Sequence, residues 1–138
     1  MTDVFAPEKR SQVMARVRGK DTKPELMVRR FLHSQGLRYR VNDKKLPGSP
    51  DLVFASKRSV VFVNGCFWHR HADCRKAKLP QTRTEFWRRK LAANVERDIR
   101  VSAELKEMGW YPRVVWECEI NPARLEALAM QIQKGYPE

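Results

Sequence analysis

The apolar positions along the chain change period several times, and each change marks an element. Val13, Met14 and Val17 share one side of a first helix, which Pro7 opens and Gly19 ends. Thr22 followed three positions later by Glu25 is a capping-box pattern. A second helix therefore starts there, takes its apolar contacts from Leu26, Phe31 and Leu32, and stops at Gly36. Leu37, Tyr39 and Val41 alternate with Arg38 and Arg40, which is the period of a strand. Pro47, Gly48 and Pro50 make a turn. Two apolar strands follow, Leu52–Phe54 and Val60–Val63, joined by a polar turn over 56–59.

Residues 64–83 have no clear period. A connection of that length in a small chain needs an internal staple to hold it. A long helix is predicted from Thr84 to about Met108, with the stripe Trp87, Leu91, Val95, Ser102 and Leu105 and with Gly109 as its stop. Arg113–Trp116 reads as a third buried strand, and Asn121 and Pro122 open a last helix carrying Leu125, Leu128 and Ile132. Strands flanked by helices predict an α/β fold with a mixed central sheet. No repeat or low-complexity tract divides the 138 residues, so residues 1–138 are expected to form a single domain.

Charge narrows the class of partner. Lys and Arg number 28 against 16 Asp and Glu, a net charge of +12. The excess is regional, with 12 basic and 5 acidic residues over 1–45 and 10 basic and 4 acidic over 70–100. Two basic runs and a near-neutral tail fit two surfaces gripping one polyanion. No apolar run approaches the ~20 residues of a membrane span. The start, MTDVFAPEKR, lacks the apolar stretch of a signal peptide, so a cytoplasmic protein with no membrane partner is expected.

Three cysteines cannot form a complete disulfide framework, which favours metal or free thiols. Cys66, His71 and Cys74 fall within nine residues of the long connection, and Cys118 follows just past the third strand. Together they make a Cys3His set of the kind that holds structural zinc tetrahedrally. His69 competes with His71 for the fourth place, and spacing does not choose between them.

A second chemistry is carried by oxygen and nitrogen. Asp51 follows Pro50 at the head of a strand, where nucleases place a carboxylate for magnesium. The acid and lysine that usually follow on the next strand are missing from Val60–Val63. His69 is a candidate general base, since an imidazole titrates near neutrality. Glu25 is a candidate second acid, although its place in the capping box already gives it a structural use. Asp98 falls on the apolar stripe of the long helix, where a carboxylate needs a partner, either an arginine or a histidine. Phe67 and Trp68 are adjacent aromatics in a basic loop, where one of the pair must face outward and can stack with bases. Trp87 and Met14 sit at helical spacing that suits core packing.

Several of these runs are specific. Gly65-Cys66-Phe67-Trp68-His69, Thr82-Arg83-Thr84-Glu85-Phe86-Trp87 and Asn94-Val95-Glu96-Arg97-Asp98 closely resemble the very-short-patch-repair (Vsr) DNA mismatch endonucleases. Leu46-Pro47-Gly48, Pro50-Asp51 and Val115-Trp116-Glu117-Cys118 fit the same family. The resemblance runs from about residue 8 to about residue 120. It implies a restriction-endonuclease-like fold with a mixed central sheet flanked by helices and a structural zinc site. It also implies a magnesium-dependent enzyme that nicks duplex DNA 5′ of the T in a T·G mismatch, within a short sequence context. Such mismatches arise by deamination of 5-methylcytosine, and the nick starts their repair.

By position, the resemblance makes Asp51 a magnesium ligand with the backbone carbonyl of Val63. It makes His69 the general base, Asp98 its orienting partner, and Glu25 an acid acting through metal-bound water. It gives zinc to Cys66, His71, Cys74 and Cys118. Phe67, Trp68 and Trp87 would insert beside the mismatch from the major groove, and Met14, within the DNA-contacting segment 1–20, from the minor groove. The implied protein is a monomer that associates with the nucleoid when bound to DNA and that works with mismatch-repair proteins and a DNA polymerase. Two departures stand out. Asn64 occupies a position where some members have an assisting histidine, and the interval from His71 to Cys74 is one residue longer than in some relatives. A restriction-linked nuclease of the same fold with another target, and a non-catalytic zinc DNA-binding module, are the alternatives.

Overall fold

The computed structural model describes residues 22–134. The expected first helix, with Met14, lies outside the described residues. The described chain runs in the order α1 (Lys23–Ser34), β1 (Arg40–Val41), β2 (Leu52–Phe54), β3 (Ser59–Asn64), α2 (Thr84–Glu107), β4 (Tyr111–Trp116) and α3 (Pro122–Lys134). Short 3-10 turns lie at Ala55–Lys57, Arg75–Ala77 and Glu117–Glu119.

Local chemistry sets most of these boundaries. Thr22 Oγ1 accepts the Glu25 amide at 3.4 Å and caps α1. At the other end Gly36 takes φ +83°, and the Leu37 amide donates back to the Leu32 carbonyl at 3.2 Å. That turn sends Leu37 into the core rather than along a strand. The strand expected over 37–41 is therefore only Arg40–Val41. Asn121 Oδ1 accepts the Arg124 amide at 2.9 Å and caps α3. Gly109, at φ +87°, turns the chain out of α2 into β4.

The sheet order is β1-β2-β3-β4, antiparallel across the first two pairings and parallel between β3 and β4. Helix α2 makes the crossover that a parallel pair requires. This is the mixed α/β architecture expected. Side chains alternate between the two faces of the sheet. Leu52, Phe54, Val61 and Val115 pack with Val28 and Leu32 of α1 and with Leu125, Leu128 and Ile132 of α3. Val53 and Val60 face the other way and pack with Leu105 of α2 and Trp110. Burial on both faces explains why β2 and β3 read as continuous apolar runs.

Three details differ from the periodicity. The strand expected to be buried over Arg113–Trp116 begins at Tyr111 and, lying at the end of the strand order, buries only Val115. Leu26 is exposed, and Val28 supplies the α1 contact instead. On α2 only Leu91 and Leu105 are buried, while Trp87, Val95 and Ser102 are half-buried. Gly48 shows how tightly the Asp51 turn sits on α2. It adopts φ +75°, and a Cβ there would lie 2.5 Å from Val101 Cγ1.

Candidate active site and metal centre

The carboxyl ends of β3 and β4 and the start of β2 meet at one edge of the sheet. A cleft of about 1030 Å³ opens there, lined by Glu25, Asp51, Val63, Asn64, Trp68 and His69 among others. Asp51 and His69 thus face the same space, although the sequence separates them by a strand pair and the start of the long loop.

Asp51 Oδ2 accepts the Val63 amide at 2.7 Å across the β2–β3 pairing. Burial pushes the Asp51 pKa from 3.8 up to about 7, against that hydrogen bond and with a further upward push from Glu25. His69 and Arg29 pull it down, but not enough. A buried carboxylate facing a second acid is stabilised in its charged form by a cation. Hard oxygen donors in this setting suit magnesium, which takes one or two carboxylates and keeps several waters. Glu25 is 4% exposed, and its Oε2 accepts from Arg29 Nη2 at 3.1 Å.

Of the two partners open to Asp98, the histidine is the one found. Asp98 Oδ2 lies 2.6 Å from His69 Nδ1. Asp98 is half-exposed rather than buried, so the pair sits at the rim of the cleft.

The long loop is held by its own cluster. One ligand atom each from Cys66, His71, Cys74 and Cys118 lies within 4.8 Å of all the others. The Cys74 and Cys118 sulfurs are 3.8 Å apart, and Cys118 Sγ is 3.3 Å from His71 Nδ1. Two thiolates on one zinc, each about 2.3 Å from the ion, are separated by about that first distance in a tetrahedral site. The donor set therefore fits zinc, and His71 rather than His69 completes it. Burial pushes the Cys66 thiol up to about 12. At Cys74 burial also acts upward, but the Lys76 amide and hydrogen bonds from its ligand neighbours outweigh it and bring the group to about 7. Crowded thiols of this kind ionise together only on a cation. Sequence reasoning missed two supports of the cluster. The Trp116 ring stacks on His71 at 4.2 Å between centroids, and Glu119 Oε2 stands 4.0 Å from His71 Nε2. A carboxylate on the far nitrogen is the usual partner of a metal-ligating histidine.

Between the two zinc-type ligands the loop makes a tight turn. The His69 amide donates to Gly65 and the His71 amide to Cys66, at 3.2 and 2.9 Å. Phe67 and Trp68 are carried on that turn and meet Trp87 edge-on, with centroids 5.5 and 5.8 Å from it. Phe86 joins the group at 5.3 Å from Trp87 and is 44% exposed. Trp68 itself is mostly buried, while Phe67 and Trp87 are half-buried. Lys23, Lys44, Lys90 and Arg97 also line the cleft, so its walls carry the positive charge a phosphate backbone requires. Asn94 lines the same cleft and is a further site residue to which the sequence alone assigns no role.

Comparison with known proteins gives a consistent picture. The family model for DNA mismatch endonuclease Vsr matches residues 2–76. The type II nicking enzyme V.NmeAIP of Neisseria meningitidis is 49% identical over 121 residues, covering 88% of this chain and 86% of its own. The type II nicking enzyme V.XorIIP of Xanthomonas oryzae is 50% identical over 121 residues, covering 88% of each chain. The DNA mismatch endonuclease Vsr of Escherichia coli is 46% identical, covering 88% of this chain and 77% of its own.

Proposed function

This chain belongs to the Vsr family of DNA mismatch endonucleases, and on that premise we propose that it nicks duplex DNA on the 5′ side of the thymine in a T·G mismatch, using magnesium. The fold is read as restriction-endonuclease-like, with residues 1–138 acting as one monomeric domain. Residues 1–20 approach the DNA and Met14 enters the minor groove. The observation that carries the reading is the shared cleft of Asp51 and the His69–Asp98 pair, beside an aromatic cluster on a Cys3His-tied loop.

Asp51 and the Val63 carbonyl would hold magnesium, which would supply polarisation of the phosphodiester. His69 Nε2 removes the proton from the attacking water, because Nδ1 is engaged by Asp98. Asp98 fixes the tautomer and orientation of the imidazole and stabilises it once protonated. Glu25, which lines the same cleft, would act through water held by the metal. Cys66, His71, Cys74 and Cys118 would hold zinc, which would fasten the loop that presents His69.

Recognition is assigned to Phe67, Trp68 and Trp87. Opening a base step costs a few kcal/mol, and less at a mispair, so insertion of aromatic rings favours the mismatched step. The basic walls add affinity that is independent of sequence and falls with salt. Among the described residues no helix is long and apolar enough to cross a membrane. A cytoplasmic, nucleoid-associated enzyme that hands its nick to mismatch-repair proteins and a polymerase completes the reading.

The test is nick mapping on a panel of duplexes, some with T·G and some fully paired, with and without magnesium. A magnesium-dependent nick confined to the 5′ side of the mismatched T supports the proposal. Cleavage of paired duplexes at a fixed sequence supports a restriction-linked nuclease, and binding without cleavage supports a DNA-binding module.

A further inference from the structure

Asn94 and Asp98 stand one turn apart on α2, so their side chains share a face of the helix. They grip consecutive residues of the loop. Asn94 Nδ2 donates to the Trp68 carbonyl at 3.1 Å, and Asp98 Oδ2 holds His69 Nδ1 at 2.6 Å. The orientation of the Asn94 amide follows from its partners. Arg97 Nη2, which can only donate, reaches Asn94 Oδ1 at 3.2 Å, leaving the amide nitrogen for a carbonyl, which can only accept. Asn94 is half-buried, where a hydrogen bond to the main chain is better protected from competing water than at the surface.

The loop between Cys66 and His71 is thus fixed at both ends by the Cys3His cluster and in its middle by one face of one helix. Trp68 belongs to the aromatic cluster, and His69 is the imidazole of the cleft. We propose that Asn94 is a positioning residue. It ties the Trp68 main chain to the helix face that holds His69, so that seating the aromatic ring and aligning the imidazole are one movement. This inference rests on the reading of the cleft as a nicking site. It goes beyond that reading by giving the link between recognition and rate to a residue that need touch neither base nor phosphate.

The misplacement of a proton acceptor by about 1 Å can cost about a hundredfold in rate. Asn94→Ala removes the donor, and Asn94→Gln keeps an amide on a longer arm. Nicking of a T·G duplex is measured in single turnover with saturating zinc-loaded protein, alongside duplex affinity. Hydrogen exchange at the amides of 67–71 is followed in DNA-free protein. Asn94→Ala should slow nicking by about 10- to 100-fold with affinity changed by less than about threefold, and Asn94→Gln should recover part of the rate. Exchange at the His69 and His71 amides should quicken in Asn94→Ala while the sheet amides stay protected.

A wild-type rate in Asn94→Ala would overturn the proposal. So would a loss of affinity equal to the loss of rate, which would make Asn94 a DNA contact. Unchanged exchange over 67–71 would also overturn it, even if wild-type protein nicked no duplex. That last pairing separates failure of the tether from failure of the nicking function.

Discussion

The carboxylate of Asp98 lies 2.6 Å from Nδ1 of His69, across 29 residues of sequence. One nitrogen of the imidazole is committed by this contact, and Nε2 is left for proton transfer. His69→Ala should lower single-turnover nicking by about 10²–10⁴-fold, the range usual for loss of a general base. Asp98→Asn should lower it by about 10- to 100-fold, because an amide orients the ring without stabilising its protonated form. Affinity for the duplex, measured by anisotropy, should stay within a few-fold in both variants.

The raised pKa of Asp51 has a consequence for stability that is independent of DNA. Its folded-state value of about 7 lies above the ordinary 3.8, so between these values the magnesium-free folded chain keeps a proton that the unfolded chain has already released. The stability tied to that proton is fully present below the unfolded value and is lost as pH rises through about 7. Chemical denaturation of zinc-loaded, magnesium-free protein should therefore show stability falling between about pH 4 and about pH 7. Asp51→Asn should remove about 2–4 kcal/mol of that fall. Magnesium competes with the same proton, so its affinity should drop about tenfold for each pH unit below about 7. Equal pH profiles for wild type and Asp51→Asn would show that the carboxylate is not the group responsible.

Cys118→Ser removes one of four soft ligands from a cluster that joins the long loop to the end of β4. Wild-type protein should carry about one zinc per chain by elemental analysis, and the variant much less. A structural zinc site is worth about 10–16 kcal/mol apparent in small peptides, comparable with the whole stability of a domain. The variant should therefore lose solubility along with zinc. A soluble, fully zinc-loaded Cys118→Ser protein would remove Cys118 from the ligand set.

Trp68 packs edge-on with Phe67 and Trp87. Stacking of an aromatic side chain on a base is worth about 1–3 kcal/mol. Trp68→Ala should therefore reduce the ratio of T·G to fully paired duplex affinity by roughly 5- to 100-fold. An unchanged ratio would assign Trp68 to packing alone.

Features governed by neighbours in sequence were legible in advance. Thr22, Glu25 and Gly36 bound α1, and the Val-rich runs mark β2 and β3, because capping and two-sided burial act over a few residues. The Cys3His set was legible because thiols and imidazoles in one loop have few other uses, yet spacing could not prefer His71 over His69. Only the folded chain shows His71 against Cys118 and His69 against Asp98. Leu37 misled the periodicity because the turn at Gly36 redirects it into the core. The Asn94 tether was invisible because its acceptor is a main-chain carbonyl, which every residue possesses. The Trp116 stack on His71 depends on the parallel β3–β4 register, which places Trp116 beside Asn64.

The central claim is that Asp51 and His69 act on one phosphate at a T·G mispair. The most direct measurement is single-turnover cleavage of a strand-labelled T·G duplex by saturating wild-type and Asp51→Ala protein, with binding followed in the same samples. Wild type should release one product, ending 5′ of the mispaired T, only when magnesium is present, while Asp51→Ala should bind the duplex and leave it intact. Cleavage by Asp51→Ala at the wild-type rate, or a wild-type complex that stays uncut in magnesium, would contradict the account.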